Sequence, residues 1–203
     1  MSTVTVVEES RQKEKAFSLN GNLSALAMSS AIKALGSFVG VYLPLYFVQI
    51  GGKPATLGML TFWASIVQLL FLSVGGMIAD NYGRRKIIIL AALSGIVFPA
   101  LYAVVQDLRI FGLLTVFAAI GAASSPATRA TVADSLAPDK RTTGIAILQV
   151  VSTLPSVISP SVGGWLMQQY GLEDGFRIGC MYAAVFAIVS MIPLLVLLKE
   201  TLE

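Results

Sequence analysis

Six apolar segments, each about as long as a bilayer crossing, are separated by short breaks that hold nearly all of the charge in this chain. The hydrocarbon core of a membrane is about 30 Å thick and takes roughly 20 apolar residues per helix. The segments run near Leu19–Phe47, Thr56–Ala79, Ile87–Gln106, Ile110–Ala133, Thr143–Gln169 and Phe176–Leu198. Of the 203 residues 56% are hydrophobic and only 12% are charged, about half the charge density of an average soluble domain. So little charge cannot solvate a globular surface, and open sheets are excluded at membrane depth because unpaired backbone groups find no water there. The expected fold is an all-α membrane protein with six transmembrane helices over residues 19–203, behind a polar tail at 1–18. That tail mixes Glu8, Glu9, Arg11, Lys13, Glu14 and Lys15 and is not a cleavable signal peptide, so the first apolar helix is expected to direct insertion.

Lys and Arg divide unequally between the two sides. One side receives Arg11, Lys13, Lys15, Arg84, Arg85, Lys86, Arg129, Lys140, Arg141 and Lys199, and the other only Lys53, Arg109 and Arg177. Ten against three predicts a multi-pass protein of the cell membrane with both termini in the cytoplasm. The chain has no His and a single cysteine, Cys180, which excludes a His-ligated metal, a His-based triad and an intrachain disulfide. No metal, no cofactor and no enzymatic activity are expected.

An offset of 88 residues lays Gly75-Gly76-Met77-Ile78-Ala79-Asp80-Asn81-Tyr82-Gly83 over Gly163-Gly164-Trp165-Leu166-Met167-Gln168-Gln169-Tyr170-Gly171. Both copies close a membrane helix, the second and the fifth, which run in opposite directions. Two inverted three-helix repeats are therefore expected, over about 19–106 and 107–198, a recurrent sign of secondary transporters. One copy continues into Arg84-Arg85-Lys86 and the other into Leu172-Glu173-Asp174, so the element is recharged according to its side.

The stretch Gly76-Met77-Ile78-Ala79-Asp80-Asn81-Tyr82-Gly83-Arg84-Arg85-Lys86 resembles the signature between helices two and three of the major facilitator superfamily. Ile78 replaces the usual Leu, and Asn81 the usual Arg or Lys. Gly76 would allow close helix approach, Gly83 a tight turn, and Arg84 and Arg85 a planar fork for a carboxylate such as Asp80. Asp134-Ser135-Leu136-Ala137-Pro138-Asp139-Lys140-Arg141 is similar to the loop after helix four of that family. The resemblance implies that Asp134 pairs with an arginine of the first motif and helps lock one gate state, with Arg141 in the same element. Ser159-Pro160-Ser161-Val162-Gly163-Gly164 partly resembles an antiporter motif of the family, with Ser159 where Gly is expected and Pro155 at the glycine position one turn upstream. Pro155 and Pro160, with Gly163 and Gly164, predict a kinked fifth helix, because each proline removes a backbone hydrogen bond. Phe117 stands where the family often has a membrane-embedded Arg, so one pointer to proton coupling is absent.

Lys33 is the one basic residue well inside a span, about 14 residues from either end, or roughly 21 Å at 1.5 Å per residue. Its helical neighbours are Ser29, Ser30, Gly36, Ser37 and Gly40, with Leu26 the apolar exception, which is a face suited to a water-filled cavity. An intramembrane ionisable residue is a functional candidate, and a lysine with no acid at its depth favours an anionic ligand. Gln68, Gln149 and Ser152 are weaker candidates for the same cavity. Tyr42, Tyr46 and Trp63 are expected in an interfacial aromatic belt.

These readings predict the N-terminal six-helix half of a secondary active transporter. It would move a small, anionic organic solute by alternating access. The expected partners are membrane lipid, a small-molecule substrate and a second six-helix half, with no nucleic acid. That second half would be the rest of a longer protein, of which this chain is a fragment or truncated product, or a second copy of the chain. A multidrug or other efflux antiporter of the family, and a non-transporting receptor or assembly subunit on the same fold, remain the alternatives.

Overall fold

The computed structural model describes residues 21–136, 138 and 141–199. The polar tail at 1–18 and the loop residues Asp139 and Lys140 lie outside them. The helices are α1 (21–34), α2 (Phe38–Gln49), α3 (Pro54–Tyr82), α4 (Arg84–Val104), α5 (Leu108–Phe117), α6 (Ser124–Asp134), α7 (Arg141–Tyr170) and α8 (Leu172–Leu197), with a 3-10 segment at Ala118–Ala123. They form six spans. The first is α1 with α2, and the fourth runs from α5 through the 3-10 segment into α6. The all-α class and the count of six are as expected, but the breaks are shorter than expected. Gly83 alone separates the second and third spans, and Gly171 alone separates the fifth and sixth.

These two glycines carry the repeat into the backbone. Gly83 has φ 103° and Gly171 has φ 81°, in the region that L side chains rarely adopt. They occupy the same position of the two copies, so each copy ends its helix on one residue and starts the next at once.

The two triplets interlock through the paired glycines upstream. A Cβ on Gly75 of α3 would lie 2.7 Å from Cα of Ala123, in the 3-10 segment of the fourth span. A Cβ on its counterpart Gly163 of α7 would lie 2.8 Å from the Phe38 ring, just past the interruption of the first span. The second helix of each repeat thus receives the interrupted first helix of the other. Small residues allow such backbone proximity where lipid offers no hydrophobic drive for association. Gly76, expected to make the close approach, has its nearest neighbour Pro126 at 3.7 Å, an ordinary contact. The close approach falls one residue earlier because that face of α3 points at the fourth span.

Both interruptions have local causes. In the fourth span Pro126 offers no N–H to Ala122, and its ring crowds that carbonyl, which favours the tighter 3-10 winding upstream. In the first span Gly36, Ser37 and Gly40 are weak helix formers. Leu35, Gly36 and Ser37 donate to residues three back (Ile32, Lys33 and Ala34, 3.1–3.2 Å) rather than four. The polar face expected to run from Ser29 through Gly40 is therefore cut after Ala34. Gly36 turns instead onto α8, where a Cβ would lie 2.9 Å from Cα of Ala183. Pro155 and Pro160 both lie inside α7, whose helical winding continues through them.

At one end the core is aromatic. Tyr46 stacks on Phe176 at 4.3 Å, and Phe111 sits 5.3 Å from Tyr46 and 4.8 Å from Tyr102. Tyr46 is fully buried, which corrects the expectation that it belongs to an interfacial belt. Its position on the face toward α8 brings it into the bundle. Tyr42 is half-buried and donates to the Pro160 carbonyl at 3.0 Å, whereas Trp63 is exposed. At the other end, here the basic end, Ala25, Leu26, Ile88, Ala127, Val132 and Leu194 pack together. Asn22 closes that end by accepting from the Lys199 N–H at 2.7 Å and donating to the Lys199 carbonyl and to Ser135 Oγ, each at 3.3 Å. The second and fifth spans bury least, 0% and 6% of their most apolar windows, and present Met59, Phe62, Leu69, Val157, Ile158 and Trp165 outward. Hydrocarbon solvates such faces; water would not.

Candidate functional site

Lys33 extends from the last turn of α1 toward the third span. A methyl on Gly95 would sit 3.1 Å from Lys33 Cε and 3.2 Å from Nζ, so the missing side chain at Gly95 makes room for the ammonium. Because Cβ bonds tilt toward a helix N-terminus, Lys33 leans to the basic end. There it borders a cavity of about 80 Å³ that Ser29, Ser30, Ser124, Thr128 and Ser190 also line, with four aliphatic residues closing the rest. The first, third, fourth and sixth spans all contribute, and none of the lining residues is acidic.

The hydroxyls in this cavity are not equivalent. Ser124 donates to Gly121 O at 3.1 Å and Ser190 to Ala187 O at 2.7 Å, so both have committed their protons to their own helices. Ser29, Ser30 and Thr128 have no hydrogen-bond partner among the described residues, and Lys33 has neither hydrogen bond nor ion pair among them. An ammonium and three hydroxyls with unspent donors converge on one small volume. Lys33 is exposed on the surface of this six-helix unit, where an unpaired cation within a membrane span is costly, and such a donor set is satisfied by an acceptor-only group, an anion. The volume suits a carboxylate-sized group or a few waters, well short of the roughly 300 Å³ at which pockets begin to enclose whole small molecules.

Gln68, Gln149 and Ser152 do not border this cavity. Gln68 is exposed on α3. Gln149 on α7 donates to Thr153 Oγ1 at 3.3 Å, and its carbonyl accepts from Ser152 Oγ at 2.9 Å. Sequence reasoning did not single out Ser124, Thr128 and Ser190, because the four-residue spacing of Ser124 and Thr128 puts them on one helix face but does not say which span that face meets. Only the packing of the four spans brings them to Lys33.

The basic end holds a second polar assembly. Arg84 bonds Asp134, at the end of the fourth span, and lies 3.5 Å from Asp80 at the end of the second. Arg85 donates to the Leu195 carbonyl on the sixth span at 3.0 Å. One guanidinium thus ties three spans together, helped by its planar fork. Asn81 turns away and donates to Met77 O at 3.0 Å on its own helix. Arg141 approaches Leu136 O at 3.5 Å and is exposed. Arg84→Gln is expected to lower stability by about 1 kcal/mol, since both acids are partly solvated, and thus to lower Tm by about 3 °C. Arg84→Lys should recover part of this, keeping the charge without the fork. An unchanged melting midpoint in Arg84→Gln would show that the tie carries no load.

Two triplets of membrane-length helices, with the first helix of each interrupted, are an arrangement that recurs among membrane transporters. Residues 23–202 match the family model described as Major Facilitator Superfamily, and the chain belongs to that family of membrane transporters. It is 26% identical over 150 residues to Multidrug resistance protein 2 of Bacillus subtilis (strain 168), covering 73% of this chain and 36% of that protein. It is 29% identical over 98 residues to the cis,cis-muconate transport protein of Acinetobacter baylyi, covering 48% of this chain and 24% of that one. Among solved structures, the human organic anion transporter TETRAN superposes with a TM-score of 0.72 at 19% identity, over 91% of this chain and 49% of that one, and shares its fold. The chain spans less than half the length of each.

Proposed function

We propose that this chain forms one half of a secondary transporter for small organic anions, in which Lys33 anchors the anionic group of the solute. The observation that supports this reading is the unpartnered Lys33 ammonium beside the unspent donors of Ser29, Ser30 and Thr128. Two of the similar proteins bear names that specify anions, cis,cis-muconate and organic anions, which agrees with this chemistry. The cavity has room for the charged group alone, so the rest of the solute needs an opposing wall. A second six-helix half, from a longer protein or a second copy, would supply that wall, and rocking of the halves would give alternating access. Both termini are taken to face the cytoplasm, from the ten-to-three division of Lys and Arg. In that orientation the Arg84–Asp134 tie is a cytoplasmic lock, made in one gate state and released in the other, and membrane lipid covers the remaining apolar faces.

The similarity to Multidrug resistance protein 2 favours a second reading, an efflux antiporter for lipophilic drugs. Equilibrium binding to the protein assembled with its second six-helix half in lipid nanodiscs separates the two. Labelled cis,cis-muconate should be retained saturably, displaced by benzoate and unaffected by tetraphenylphosphonium. Retention of tetraphenylphosphonium without muconate would overturn the anion reading in favour of drug efflux.

A further inference from the structure

We infer that Ser159 is the positioning residue for Lys33, because its hydroxyl closes the break in the first span from the neighbouring fifth span. This rests on the reading of Lys33 as the anion anchor. In an unbroken helix the Phe38 N–H would bond Ala34 O, and Leu35 O would accept from Val39. Here Ser37 takes Ala34 O at 3.1 Å and Val39 turns to Gly36 O at 3.5 Å, which leaves one donor and one acceptor without backbone partners. Ser159 Oγ accepts from Phe38 N–H at 2.9 Å and donates to Leu35 O at 2.8 Å, so one hydroxyl serves both strandings. Ser159 is 1% exposed, so water cannot substitute for it.

The break sets the direction in which Lys33 points. A 3-10 turn advances about 120° per residue and an α-turn about 100°, so rewinding Leu35–Ser37 as α-helix would rotate α1 against α2 by roughly 60°. On the far side α2 cannot follow, because Phe38 is seated against Gly163 and Gly179 and Tyr42 is bonded to Pro160 O. The rotation would fall on Lys33, two residues before the break, and carry it off the gap at Gly95. The other repeat shows that the fold does not require this device. The position 88 residues before Ser159 is Phe71, which has no hydroxyl, and the fourth span, which meets the helix of Phe71 at Gly75, carries no intramembrane lysine.

The test uses Ser159→Ala, Ser159→Thr and Ser159→Cys in nanodiscs, each assembled with the second six-helix half. It reads the acylation rate of the Lys33 amine by a membrane-permeant anhydride, amide exchange over Leu35–Gly40, and cis,cis-muconate affinity. Ser159→Ala should change the Lys33 acylation rate severalfold, speed exchange about tenfold and weaken muconate binding about tenfold, the loss of roughly one good hydrogen bond. Ser159→Thr should restore all three. If Ser159→Ala fails to fold, Ser159→Cys, of similar size with a weak S–H donor, should lie between wild type and that loss. Wild-type Lys33 acylation in folded Ser159→Ala or Ser159→Cys would overturn the assignment whether or not muconate binds. Absence of muconate binding in the wild type, with acylation still responding to Ser159, would overturn the anion reading and leave Ser159 as the residue that sets Lys33.

Discussion

Lys33→Ala is expected to weaken cis,cis-muconate binding at least about a hundredfold while leaving the protein as stable as wild type or more so. The two effects have one origin. Removing one member of a desolvated ion pair costs roughly 2–5 kcal/mol, and a hundredfold loss corresponds to about 2.7 kcal/mol. Without ligand the same ammonium has no partner among the described residues, and a cation at mid-membrane costs on the order of 3 kcal/mol. Deleting it therefore removes a destabilising term from the empty protein. A purely structural lysine would behave in the opposite sense, with stability falling on truncation and binding unmoved. Tm and equilibrium binding measured on one preparation decide between them. Lys33→Arg should bind at an intermediate level, because the charge is kept but the Gly95 gap, with Cε and Nζ at 3.1 and 3.2 Å, is tight for a guanidinium. Wild-type muconate affinity in Lys33→Ala would sink the site.

Gly36→Val is expected to be strongly damaging to the fold. Its first added carbon would lie 2.9 Å from both Cα and Cβ of Ala183, and a backbone atom of a buried helix cannot move aside as a flexible side chain would. Overpacking at such a site costs typically 1–3 kcal/mol. The upper end is expected here, because separating α2 from α8 would also strain the Phe38 seat and both Ser159 hydrogen bonds. Gly40, four residues on, has nothing within 4 Å of its added carbon, so Gly40→Ala should be neutral or stabilising by up to about 1 kcal/mol. Monodisperse recovery from detergent and Tm read both. Equal behaviour of the two variants would mean that the approach to α8 is not what holds the first span in place.

Much of the framework is legible in the residues because it rests on local rules. Six apolar runs require six helices in a medium without water, and a Tyr-Gly closing two matching segments locates both one-residue turns. Gly83 and Gly171 then share positive φ, since a chain reversing on a single residue needs that conformation. Asp134 and the arginine motif were likewise visible as a pair of charged elements at one end. Their meeting through Arg84 depends on the fourth span returning beside the second, which spacing alone does not state. Tyr46 went the other way. As an aromatic residue near a helix end it reads as a belt residue, and the stacking surface of Phe176 buries it.

The candidate site divides along the same line. That Lys33 lies at mid-depth with no acid to neutralise it follows from the sequence alone, because depth is set by distance along a helix and partners of opposite charge can be counted. Which groups share its cavity follows from the tertiary structure. Ser124 and Thr128, four residues apart on the fourth span, and Ser190 on the sixth reach it from two directions that their sequence spacing does not bring together, and Gly95 matters through the volume it lacks. The break after Ala34 is decided at the same level. Gly36 and Ser37 only weaken the helix, and a hydroxyl 124 residues away from Leu35 supplies the hydrogen bonds that let the weakness become a defined geometry. Helical periodicity extends a polar face as far as the winding is regular, and here a contact from another span ends that regularity two residues beyond the lysine.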